Sequence, residues 1–252
     1  MMEKSFSKEQ VEQRCRQLEE NLAVIRQQVG DAARRSGRSP EEITLLAATK
    51  TVPVEVINHG ISLGITHIGE NKVQELCEKY DHLDIARCHC QFIGHLQTNK
   101  VKQLIGKVEM IQSVGSLKLA REISRVCQNQ GVEMDVLIEV NIGREENKSG
   151  VMPEELESLI VEIAQLPSVH IQGLMAIPPI SETISKTKEY FSNMYEKFID
   201  IKDKTLDNVN MKFLSMGMSA DYVAAIEAGA NIVRVGSALF GARIYPTKDI
   251  GI

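Results

Sequence analysis

The sequence predicts an α/β fold, a single (β/α)8 barrel of the TIM type with an extra N-terminal helix and no C-terminal β-domain. Two observations carry this prediction. Eight short β-type runs alternate with helical patterns, and no GxGxxG turn follows the first run. Strands alternating with helices make βαβ units and a parallel sheet. Eight such units suit closure into a barrel. The competitor, an open doubly wound sheet, would carry the dinucleotide fingerprint at that first turn.

Residues 8–36 hold apolar side chains at helical spacing (Val11, Leu18, Leu22, Val24, Ile25, Val29), and the pattern stops near Gly37. The β-type runs follow at 43–49, 66–69, 89–94, 110–114, 135–141, 171–177, 213–217 and 232–236. Helical patterns fill 54–63, 72–83, 116–130, 153–165, 181–206 and 220–228, with 98–106 the shortest. One domain over 1–252 is expected, with 1–37 a helix packed on the barrel.

Composition narrows the function. The chain is 43% apolar and 25% charged, as soluble globular proteins are. Its 29 basic against 34 acidic residues leave a net charge of −5, which argues against nucleic acid as the main partner. No apolar run approaches the roughly 18 residues of a membrane span. The polar N-terminus is not a secretory signal. Five irregularly spaced cysteines (Cys15, Cys77, Cys88, Cys90, Cys127) point to a reducing cytoplasm rather than a disulfide framework. The Cys88-His89-Cys90 triplet lacks a second ligand pair, so no metal site is expected.

A parallel barrel keeps its site at the C-terminal strand ends. The first run ends in Lys50, the second in Glu70-Asn71, the third in Gly94-His95 and the sixth in Met175-Ala176. The seventh ends in Gly217-Met218-Ser219, and the eighth holds Arg234 and ends in Gly236-Ser237. Paired Gly/Ser ends on the last two strands suit a phosphate, though Gly-Met-Ser is also an ordinary strand-to-helix turn with a serine cap. Asp221, in the first turn of the next helix, is expected to point away from such an anion. Arg234 shares a face with Ile232 and Gly236. A buried arginine needs a partner, either an inward polar ligand or an outward carboxylate. Lys50 is either a snorkelling strand-end lysine or the amine that holds a phosphorylated carbonyl compound, with the phosphate opposite it at the barrel mouth.

The motifs LLAATKTVP, GENKVQE, FIGHLQTNK, NKSG, IQGLMAIPP, LSMGMSADYVAAIEAGAN and VRVGSALFGAR span residues 45–243. In them the chain resembles the pyridoxal phosphate homeostasis proteins, which are similar to the barrel domain of alanine racemase. The resemblance implies pyridoxal 5′-phosphate (PLP) as cofactor, held by Lys50 as an internal aldimine. It implies phosphate binding by Ser219, Gly236 and Ser237, with Gly217 and Met218 shaping the turn. Arg234 would face the pyridine nitrogen, Asn71 would lie near the ring's polar edge, and Met175 would line the pocket. Gln91 stands where the family often has histidine, so an acid–base role there is in doubt.

An arginine at the pyridine nitrogen disfavours its protonation and so argues against broad carbanion chemistry. Racemisation also needs a second base, and Tyr245, beyond the eighth run, is not expected to supply it. The implied function is a cytoplasmic, monomeric PLP carrier that stores the cofactor as a reversible Schiff base and hands it to apoenzymes, rather than an enzyme. The alternatives are a weak PLP-dependent amino acid racemase and a class I aldolase-like enzyme acting on a sugar phosphate.

Overall fold

The computed structural model describes residues 6–179 and 183–242. Tyr245 and the start of the helix expected from residue 181 lie outside them. Eight parallel strands form a closed barrel in chain order: β1 (Thr44–Ala48), β2 (His67–Glu70), β3 (His89–Phe92), β4 (Met110–Val114), β5 (Met134–Val140), β6 (Val169–Ala176), β7 (Val209–Ser215) and β8 (Ile232–Val235). The helices are α1 (Lys8–Arg35), α2 (Val54–Ser62), α3 (Val73–Lys79), α4 (Val101–Leu104), α5 (Leu117–Gln130), α6 (Leu156–Ala164), α7 (Ile184–Asp203), α8 (Tyr222–Glu227) and α9 (Ser237–Phe240).

Each β-type run of the sequence overlaps one strand. β6 and β7 begin earlier than the apolar runs suggest, at Val169 and Val209. There the strands alternate, as in Val209-Asn210-Met211-Lys212, because Asn210 and Lys212 face solvent at the foot of the barrel. Alternation also sorts the core. Ala47, Ile68, Phe92, Ile138, Val233 and Val235 point outward into the layer beneath the helices. Leu46, Ile93 and Ile232 pack together inside the barrel, and so do Met110, Leu137 and Met175.

Helix α1 starts at a capping box in which Ser7 and Gln10 exchange hydrogen bonds. It buries Leu18, Leu22, Ile25, Val29, Ala32 and Ala33 in the same core as the barrel's outer face. Its polar side chains fasten α9. Asn21 Nδ2 donates to Leu239 O at 3.0 Å and Arg14 Nη2 to Phe240 O at 3.3 Å, at the C-terminal end of α9. Just beyond α1, Arg38 Nη1 donates to Ala230 O at 2.9 Å and Nη2 to Ile226 O, where α8 ends. Among the described residues no helix is long and apolar enough to cross a membrane.

Candidate functional site

A cavity of about 1030 Å³ opens at the C-terminal ends of the strands. Ala48, Asn71, Ile93, Met218, Ser219, Arg234, Gly236 and Ser237 form its barrel side. Asn21, Ile25 and Gln28 of α1 and Ile184 of α7 form its outer wall. Asn21, Ile25 and Gln28 recur at i, i+4 and i+7, one helical face. That spacing was available in the sequence as the sign that α1 contributes to the site, and sequence reasoning missed it.

Lys50 follows β1. Leu46 and Ala48 lie on the inner side of the strand, and Lys50 stands two residues past its end. Val52 N donates to Thr49 O at 3.0 Å, closing a turn with Lys50 and Thr51 at its centre. Thr51 holds φ +64, a left-handed conformation that a β-branched residue rarely adopts. Strain of this kind costs about 1–3 kcal/mol and collects at functional sites. Lys50 is half-buried and has no hydrogen bond or ion pair to another described residue. Its side chain is not among those lining the cavity, which reaches β1 at Ala48.

The sequence put the phosphate site opposite this lysine, and the topology corrects that. β1 pairs directly with β8, with Leu46 beside Arg234 and Ala47 beside Val235. Continued by one residue, that register sets Ala48 beside Gly236. The Lys50 turn and the Gly236-Ser237 segment are therefore neighbours across the seam that closes the barrel.

Ser219 Oγ accepts hydrogen bonds from the amides of Gly236 and Ala238, each at 3.1 Å. Two backbone N–H groups thus converge on one oxygen, as they would on a phosphate oxygen. Gly217 carries φ +91, and a Cβ there would lie 2.5 Å from Ala225 Cβ and 3.0 Å from Tyr222 Cα. Glycine lets the chain turn closely against α8 before Ser219. Asp221 does line the cavity, but its Oδ1 accepts from Met218 N at 2.6 Å. It locks the turn and withdraws that amide from any anion.

Arg234 is buried and points into the barrel. Nη1 donates to Ser215 Oγ at 2.6 Å and Nη2 to Ala176 O at 2.9 Å. Ser215 donates to Gln112 Oε1 at 2.7 Å, and Gln112 Nε2 to Gln91 Oε1 at 2.5 Å. Gln91 therefore ends a buried polar chain that starts at Arg234. Burial pulls the Arg234 guanidinium down to about 10, with Glu139 and Asp221 opposing the fall, so it stays charged at neutral pH. Glu139, inside the barrel on β5, is pushed up to about 7 by burial, and Arg234 offsets part of that rise. Nothing in the sequence singled Glu139 out. Arg234 thus follows the inward reading and not the outward one: the carboxylate that acts on it, Glu139, lies on the same inner face and forms no ion pair with it.

Of the expected residues, the cavity wall brings together Asn71, Met218, Ser219, Arg234, Gly236 and Ser237. Met175 is fully buried beside Met110 and Leu137, below the wall, and Gly217 sits behind the turn.

The family model described as "Alanine racemase, N-terminal domain" matches residues 14–244. A pyridoxal phosphate homeostasis protein of Aquifex aeolicus is 44% identical over 226 residues, covering 90% of this chain and 98% of that protein. One from Escherichia coli K12 is 38% identical over 231 residues, covering 90% and 97%. The solved structure of PipY from Synechococcus elongatus with PLP bound superposes with a TM-score of 0.77 at 29% identity, covering 89% of this chain and 100% of that one. The chain belongs to the alanine racemase N-terminal domain family and, within it, to the pyridoxal phosphate homeostasis proteins.

Proposed function

We propose that this chain binds PLP in the barrel-mouth cavity and serves PLP homeostasis as a reversible store. The observation that carries the reading is the convergence of the Gly236 and Ala238 amides on Ser219 Oγ, one strand away from the Lys50 turn. The names of the curated relatives and the PLP in the PipY structure support it.

The residues present fit the group. Ser219, Gly236 and Ser237 would take the phosphate, which would replace Ser219 Oγ as acceptor for the Gly236 and Ala238 amides while the Ser219 hydroxyl donates to it. Arg234, a cation fixed by Ser215 and Ala176, would face the ring nitrogen. Asn71 would meet the ring's polar edge. Lys50 would supply the amine for a reversible carbon–nitrogen bond to the cofactor's aldehyde, with water as the by-product. A guanidinium that stays charged at neutral pH opposes protonation of a neighbouring ring nitrogen and so favours holding over carbanion chemistry. The form of this store that we propose is a monomer that acts in the cytoplasm and hands its cargo to apoenzymes.

Borohydride reduction with PLP, followed by peptide mapping, tests this reading. The expected adduct is on Lys50 and is absent in Lys50→Ala. An adduct on another lysine overturns the site assignment. Exchange of an amino acid α-proton at enzymatic rates would favour racemisation instead.

A further inference from the structure

Lys79 and Glu75 lie one helical turn apart on α3, and both are mostly buried against the Lys50 turn. Lys79 Nζ donates to Thr49 O at 3.0 Å, to Glu70 Oε2 at 3.4 Å and to Glu75 Oε1 at 2.6 Å. Glu75 Oε1 also accepts from the amide of Thr51. Glu70, 2% exposed, accepts from Asn71 N at 2.7 Å and meets the Thr49 hydroxyl at 3.2 Å.

Two of the backbone groups in this network are the carbonyl of Thr49 and the amide of Thr51. They belong to the two peptide planes on either side of Lys50. The ion cluster therefore fixes both planes and holds Thr51 at its positive φ. The same cluster binds the amide of Asn71, a cavity-wall residue just past the end of β2.

We propose that Glu75 and Lys79, backed by Glu70, are positioning residues that aim Lys50 for covalent capture of its aldehyde ligand. This rests on the proposed role of Lys50. A small misplacement of a reacting group slows its reaction steeply while leaving recognition of the rest of the ligand intact. Released from the clamp, the Thr49–Val52 turn relaxes and the amine loses its direction. The phosphate cradle, built on β7, β8 and α9, does not depend on that turn.

The test compares two ligands on the full chain. PLP reports covalent capture, followed as the rate of borohydride-trappable adduct on Lys50. Pyridoxine 5′-phosphate, which has an alcohol in place of the aldehyde, reports recognition alone. Glu75→Ala and Lys79→Met are expected to slow capture roughly ten- to a hundredfold, with pyridoxine 5′-phosphate affinity within about twofold of wild type. Glu75→Gln keeps an acceptor for Thr51 and is expected to restore most of the rate. Should the single changes fail to fold, Glu70→Gln with Lys79→Met removes one buried charge of each sign and makes the same measurement. Unchanged capture in folded variants overturns the inference, and so does an equal loss for both ligands, which would mark a merely structural cluster. A wild-type chain that captures nothing at Lys50 overturns the proposed function and the inference with it.

Discussion

Ser219 Oγ stands 3.1 Å from the amide nitrogen of Gly236, so a side chain after β7 occupies the backbone cradle after β8. Its second bond, from Ala238 N, makes that oxygen the local acceptor for the first turn of α9. Replacing Ser219 by alanine removes a hydroxyl from a shared network, a change of about 0.5–1.5 kcal/mol. The affinity for pyridoxine 5′-phosphate should fall roughly three- to tenfold, measured by calorimetry. An affinity equal to wild type would place the phosphate elsewhere.

Glu139 makes stability depend on pH. Burial raises its carboxyl from 4.5 to about 7. Between those values the folded chain keeps a proton that the unfolded chain has lost, so stability falls as pH rises through this window and levels off above it. Glu139→Gln removes the titration. It should stabilise the fold at pH 8 by up to roughly 3 kcal/mol and by much less at pH 5. Denaturant midpoints at the two pH values read the difference, and equal gains at both would contradict the assignment.

Arg234→Met leaves Glu139 without its cation and strips donors from Ser215 and Ala176. Each buried acceptor left without its donor costs about 1–3 kcal/mol. The Coulombic share, which comes from Glu139 at a distance, should appear at pH 8, shrink at pH 5 as Glu139 takes up a proton, and be recovered in Arg234→Met/Glu139→Leu. A double-mutant cycle on unfolding free energy checks all three.

Gly217→Ala tests the turn itself. The added Cβ meets Tyr222 Cα at 3.0 Å at a φ of +91. A loss of about 1–3 kcal/mol is expected, together with weaker ligand binding, because the turn delivers Ser219. Thermal melts and titrations on the same sample separate the two effects.

The barrel was legible because eight short strands must each bury an apolar run, and such runs stand out from helical spacing. The strand-end residues were legible because barrel topology says where to look. Placing the β8 strand end opposite Lys50 failed although the information was present: in a closed barrel the first and last strands are neighbours. Helix α9 escaped because Ser237-Ala238-Leu239-Phe240 is one turn long and shows no periodicity. The clamp of Glu70, Glu75 and Lys79 escaped for a deeper reason. Charges on a helix read as a solvated face, and tertiary packing alone shows that these reach the Thr49–Val52 turn.

The β7–β8 seam, next to the one that closes the barrel, has a consequence for how the barrel yields. β7 and β8 share a single register pair, Ser215 with Ile232, extended by hydrogen bonds from Met216 N to Ile232 O and from Arg234 N to Gly217 O. A short ladder is the natural place for local opening. A molecule touching Ser219 after β7, Gly236 after β8 and Lys50 after β1 would rivet three adjacent staves at that weak edge. Amides of β8 should then exchange with solvent more slowly in the loaded chain than in the empty one, because opening the seam would first require letting go of the cargo.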